Sequence, residues 1–209
     1  RGNAYDTQGE HEKAVADLTE SIRLRPGDAK LHYNRGVANY LMKCIDQAIA
    51  DFTEAIRLDS SYANAYSNRG LAYDDKGDFA RAIEDYTQAI RFEPHHVNAH
   101  TNRGADYAET GQFDKVIADY SKAVKIDPDY ASAYFNRANA YSYVGDLDQA
   151  IADYTEAIRC VPGLAAAYNN RGNAHLELGK LDDAIAVEPA AVIDRSGEGE
   201  APSRRNGSP

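Results

Sequence analysis

Six arginines recur at a fixed step of 34 residues: Arg1, Arg35, Arg69, Arg103, Arg137 and Arg171. Sixteen residues after each of the first five stands an aspartate (Asp17, Asp51, Asp85, Asp119 and Asp153), and Val187 takes the slot after Arg171. Charges in this pattern suit a ladder of ion pairs inside the fold, or a stripe of guanidinium groups that binds anions. One residue before the arginines runs a row of asparagines: Asn34, Asn68, Asn102, Asn136 and Asn170. A side-chain amide both donates and accepts, so this row suits the main chain of an extended peptide, or simple solvation of an open face. Other chemistry finds less support. Cys44 and Cys160 have no recurring base beside them, as a nucleophile would need. His96 and His100 are spaced to chelate from one helical face, with His95 adjacent. Yet His100 takes the place of Tyr66 and Tyr134, which reads as packing, and His95 and His96 read as loop. Asp106 stands where neighbouring copies carry Ala72 and Ala140, in a close-packed row, and reads as a solvated edge residue in preference to a functional irregularity. No glycine-rich phosphate loop follows a strand. The expectation is no catalytic residue, no metal and no cofactor.

The elements that place these residues follow from the same step. Asn34-Arg35-Gly36 recurs as Asn68-Arg69-Gly70, Asn102-Arg103-Gly104 and Asn170-Arg171-Gly172, with Asn136-Arg137-Ala138 in the remaining slot. In the copy 63–96, Ala82, Ile83, Tyr86, Ala89 and Ile90 make one apolar helical face. Tyr66, Gly70 and Tyr73 give the first half the same period. Gly77 punctuates between the two segments and Pro94 stops the second. Each unit therefore reads as two short antiparallel helices, and the fold class as all-α. Such a pair buries too little area to stand alone, so stacked units must share one core.

Composition sets the outer limits. The 209 residues are 43% hydrophobic and 27% charged, in the range of folded chains. The net charge of −10 opposes nucleic-acid binding, which needs a basic footprint. No apolar run reaches the ~18 residues of a membrane span. Two distant cysteines do not make a disulfide framework. The chain starts at Arg1 rather than Met, which reads as a fragment or processed chain whose targeting signal is not visible. Solubility favours the cytoplasm.

Taken together, these residues resemble the tetratricopeptide repeat (TPR) family. The resemblance rests on the 34-residue period, the small residues Gly36, Gly70, Gly104, Ala138 and Gly172, and the alanines Ala14, Ala48, Ala82, Ala150 and Ala184. It rests also on the aromatics Phe52, Tyr86, Tyr120 and Tyr154, and the prolines Pro26, Pro94, Pro128 and Pro162. It covers residues 1–187: a partial repeat 1–28, full repeats 29–62, 63–96, 97–130 and 131–164, and a truncated repeat 165–187. Residues 188–209 read as a disordered tail. Val116, Lys43 and Ser60 depart from the pattern in ways that call for local adjustment only.

The resemblance implies a helix-turn-helix solenoid, coiled as a right-handed superhelix with a concave groove. In it the arginines take a place that is commonly a core leucine, so each buried guanidinium must be paired. The aspartate sixteen residues on, in the same unit, is the favoured partner; the alternative is pairing with the arginine of the following unit. The asparagine row, with Tyr33, Asp74, Asp75, Glu109, Phe135 and Asn139, lines the groove. The place where some TPR modules carry a lysine that grips a C-terminal carboxylate holds Tyr33, Ser67, Thr101, Phe135 and Asn169. The implied function is a non-catalytic scaffold that captures an extended segment of a protein or peptide, basic or neutral rather than acidic. The alternative is a docking or dimerisation module of a larger enzyme. Apolar ends around Tyr5 and Leu18, and around Leu178, Leu181 and Ile185, suggest self-association.

Overall fold

The computed structural model describes residues 10–179, and these contain ten helices and no strand. They are α1 (His11–Leu24), α2 (Ala29–Leu41), α3 (Ile45–Leu58), α4 (Ala63–Asp74), α5 (Phe79–Phe92), α6 (Val97–Glu109), α7 (Phe113–Ile126), α8 (Ala131–Tyr143), α9 (Leu147–Cys160) and α10 (Ala165–Glu177). Each even-numbered helix from α2 to α8 pairs with the helix that follows it, and each pair packs on the next to make an all-α solenoid. Arg1, Tyr5, Leu181, Ile185, Val187 and the 188–209 tail lie outside the described residues. Among the described residues no helix is long and apolar enough to cross a membrane.

Local chemistry sets the helix ends. The Asp28 carboxylate accepts from the Lys30 backbone N–H at 3.1 Å, and Asp78 accepts from Arg81 N–H at 3.2 Å, so first-turn donors are satisfied. Three of the turns inside the pairs use a glycine at positive φ: Gly77 at 73°, Gly111 at 73° and Gly145 at 82°. Lys43 holds the equivalent turn after α2 at φ 61°. The departure in sequence is thus absorbed without moving the helices, at the expense of a left-handed conformation in a residue with a Cβ.

The core is made of rows. Ala48, Ala82 and Ala150 are fully buried, as are Phe52 and Tyr86, with Tyr120 and Tyr154 nearly so. The aromatic of each second helix lies against the small residue of the first. A Cβ on Gly36 would meet Phe52 at 2.7 Å, on Gly70 would meet Tyr86 at 2.9 Å, and on Gly104 would meet Tyr120 at 3.2 Å. Ala138 fills the same place with its Cβ fully buried, so the gap widens along the array until a methyl group fits.

Candidate functional site

Each arginine of the row from Arg35 to Arg171 joins two units. Arg69 donates from Nε and Nη2 to the two carboxylate oxygens of Asp85, both at 2.8 Å. Arg35 with Asp51, Arg103 with Asp119 and Arg137 with Asp153 repeat this forked pair inside their own units. Nη1 turns the other way. It donates to Thr19, Thr53, Thr87, Ser121 and Thr155 from Arg35, Arg69, Arg103, Arg137 and Arg171 respectively, always on the second helix of the preceding unit. Arg171 keeps this second bond, but its Nε has no partner among the described residues. The aspartates are nearly enclosed, and the arginines are mostly covered. Burial pushes Asp85 above its usual range despite the opposing pull of Arg69. Asp119 is also raised by burial, but Arg103 and a second donor, His100, together bring it below. His100 is buried, with Nδ1 3.1 Å from Asp119 and Nε2 3.2 Å from the Pro94 carbonyl oxygen. His96 caps α6 and reaches Asn64 instead. Among the described residues no group of three histidines, cysteines or acids is placed to hold a metal ion.

The asparagine row is half-buried at the seams between units, and part of its hydrogen-bonding capacity is used there. Asn68 Nδ2 donates to the Tyr33 hydroxyl at 3.0 Å. Asn102 and Asn136 lie beside the Tyr86 and Tyr120 phenols of the preceding units. Asn170 donates to Asn139 Oδ1 at 3.1 Å, and the same oxygen accepts from Tyr154 at 2.7 Å. Tyr33 packs between Phe52 and Tyr62, and Phe135 against Tyr154, so these two groove candidates also support the stack. Asn34 is half-buried.

What remains open on the face of the first helices is a repeating pocket. One, of about 350 Å³, is walled by Glu109, Phe113, Tyr120, Asn136, Ala140 and Tyr143. The next, of about 360 Å³, is walled by Tyr143, Leu147, Tyr154, Asn170, Ala174 and Glu177. Glu109 and Tyr143, Phe113 and Leu147, Tyr120 and Tyr154, Asn136 and Asn170, and Ala140 and Ala174 are each 34 positions apart, so this is one pocket made twice. Asn139 and Tyr143 stand in the wall between them. Tyr143 stacks on Phe113 with ring centroids 3.8 Å apart and is still 72% exposed, a large aromatic surface presented to the groove.

Earlier along the same face the chemistry changes to acid. Asp75 is exposed and accepts from the Tyr40 hydroxyl at 2.7 Å. Asp74 is half-buried, and burial first, then the charges of Asp75 and Glu109, push its carboxyl upward. Asp106 corrects the sequence reading: it is 1% exposed, not a solvated edge residue, because its place in α6 faces the α4 neighbour rather than water.

Comparison with known families decides what this architecture is. Models described as TPR repeat match residues 2–43, 45–77 and 104–144, and models described as tetratricopeptide repeat match 63–96 and 135–201. The chain belongs to the tetratricopeptide repeat family. Solved TPR-like structures superpose closely at low identity. A crystal structure of MamA is 24% identical with a TM-score of 0.72, over 76% of this chain and 93% of that one. YrrB, described as a TPR protein with an unusual peptide-binding site, is 19% identical with a TM-score of 0.70, over 81% and 88%. The pilF protein of Pseudomonas aeruginosa is 16% identical with a TM-score of 0.77, over 89% and 85%. At these identities the likeness is one of fold. A comparison with curated protein sequences returns no match.

Proposed function

We propose that this TPR array is a non-catalytic scaffold that holds an extended segment of a partner protein along the face of its first helices. The observation that carries this reading is the doubled pocket on either side of Asn139 and Tyr143. A pocket repeated at the step of the array suits a ligand that is itself extended and repetitive, which is a peptide main chain with alternating side chains. Asn139 Oδ1 is taken by Tyr154 and Asn170, which leaves its amide N–H groups to face a ligand carbonyl. Tyr143 supplies rigid aromatic area on both sides. YrrB, of the same fold, is described as having a peptide-binding site, which is in keeping with this use. The net charge of −10 favours basic or neutral partners by long-range attraction.

The test is selection of peptides from a displayed random library against the described array, followed by calorimetry. Tyr143→Ala removes no buried side chain, though it uncovers Phe113, and is expected to weaken the selected peptides by about 1–2 kcal/mol. Peptides that bind the parent and Tyr143→Ala equally would place the site elsewhere.

A further inference from the structure

Stepping the doubled pocket back by 34 positions converts its wall to Asp74, Asp75, Tyr86, Asn102, Asp106 and Glu109. Where the later pockets have Ala140 and Ala174, this register has Asp106; where they have Tyr120 and Tyr154, it has Tyr86. The residues at these two places line the pocket in both later copies, so by register Asp106, set against Asp74 of α4, and Tyr86 form the floor of this one. Both are almost wholly enclosed, at 1% and 0% exposure; no neighbouring group donates to Asp106 Oδ2, whose near polar neighbour is the Asp74 carboxyl, and the Tyr86 hydroxyl has only Asn102 beside it. The cause on the tyrosine side is visible. Tyr154 donates to Asn139, but the residue that corresponds to Asn139 in the unit of Tyr86 is Leu71. A buried carboxylate oxygen without a donor is costly and calls for an explanation.

We propose that this register of the groove is a cation pocket that receives an arginine side chain of the bound segment. The inference rests on the groove reading given above. Four carboxylates meet here, and the nearby bases are engaged elsewhere: Lys76 with Asp46, Arg81 with Asp78, and Arg103 with Asp119. A guanidinium presents several donors in a planar fork. It offers Asp106 Oδ2 the donor it lacks, and gives Asp74 and Glu109 the opposite charge. No three of these acids are placed for a metal ion, which sets a side-chain cation apart from a bare one. Burial first, then the charge of Asp74 and a hydrogen bond shared with its carboxyl, and last the charge of Glu109, push the Asp106 carboxyl up to about 7, as at a negative site without its counter-charge. The later pockets, with Glu109 or Glu177 alone, do not share this concentration of acid.

The probe is a peptide chosen from the displayed library, synthesised with arginine and with citrulline, its uncharged isostere, at each basic position. The selected peptides are expected to share one arginine, and citrulline there to weaken binding by at least about thirtyfold. Asp106→Ala restores the residue that the other units use, Ala38, Ala72, Ala140 and Ala174, so it is expected to fold. In that variant the arginine and citrulline peptides are expected to bind within about threefold of each other. Peptides that bind the groove and are weakened by Tyr143→Ala, but share no basic residue or keep the citrulline penalty in Asp106→Ala, would overturn the cation pocket and leave the groove reading standing. A library that yields no binders, or binders indifferent to Tyr143→Ala, would overturn both.

Discussion

Arg69 Nη1 donates to Thr53 Oγ1 at 3.0 Å, across the seam between two repeats. The same guanidinium grips Asp85 within its own repeat, so one side chain fastens three helices. Removing it leaves Asp85, whose side chain is 7% exposed, with a buried and unpaired charge. Arg69→Ala is expected to cost about 3 kcal/mol, the lower end for a broken buried pair, since Arg69 itself keeps 17% exposure. Replacing both partners, as in Arg69→Met with Asp85→Leu, is expected to cost far less. Denaturant titration of the two variants checks this; equal losses would show that the charge pair is not what holds the seam.

Asp106 is predicted to lower stability at neutral pH. Its folded-state pKa of about 7 lies above the ordinary carboxylate value, so between the two the folded state binds more protons than the unfolded state. Its contribution therefore becomes less favourable as pH rises from about 4 to about 7. The groups that face it are Asp74 from α4, with Asp75 beside Asp74, Tyr86 from α5, Glu109 on α6 and Tyr120 from α7. Asp106→Ala is expected to gain about 1–3 kcal/mol at pH 8, by removing an unsatisfied buried acid, and progressively less toward pH 4. Melting curves of parent and variant across pH measure the difference. A gap that is constant or widens at low pH would contradict the assignment.

Lys43 occupies a turn for which three other units use glycine at positive φ. Lys43→Gly is expected to stabilise the array by about 1 kcal/mol, since relief of the left-handed strain outweighs the entropy lost with glycine. A loss of stability in thermal melts would show that the contact of Lys43 with the Tyr40 ring, 5.5 Å from its centroid, matters more than the backbone.

The gap that widens along the array beneath the aromatic row predicts a graded response. Gly36→Ala must push into the Phe52 ring, whereas Gly104→Ala meets Tyr120 at 3.2 Å, so that the ring need give by only a few tenths of an ångström. Gly36→Ala is expected to destabilise by about 1–3 kcal/mol through overpacking. Gly104→Ala is expected to fall within about 1 kcal/mol of the parent, because alanine favours the helix. Equal effects in denaturant titrations would contradict the packing gradient.

The helices were legible because the step of 34 is carried by many residues at once, and glycine and proline mark the turns chemically. The sixteen-residue offset pointed to a partner for each arginine, with two pairings open. The threonine bond was not legible: threonine on a helix surface has many roles, and only the relative placement of adjacent units brings Thr53 to Arg69. The asparagine row shows the same limit. Its spacing signalled a repeated task, but the Tyr33 hydroxyl that Asn68 contacts lies 35 residues away on another helix. Asp106 was misread because one acid among alanines looks like a surface substitution. Its place in a close-packed row, with Ala72 and Ala140 at the equivalent positions, was the available clue.

The central claim is that the face of the first helices receives an extended partner segment. The most direct measurement is backbone amide chemical-shift mapping with a library-selected peptide titrated into the labelled array. Shifts are expected at Asn139, Tyr143, Asn173 and Glu177, with quiet signals at Glu84 and Lys122 on the second helices. Shifts centred on Glu84 and Lys122, with Asn139 and Tyr143 unmoved, would contradict the claim.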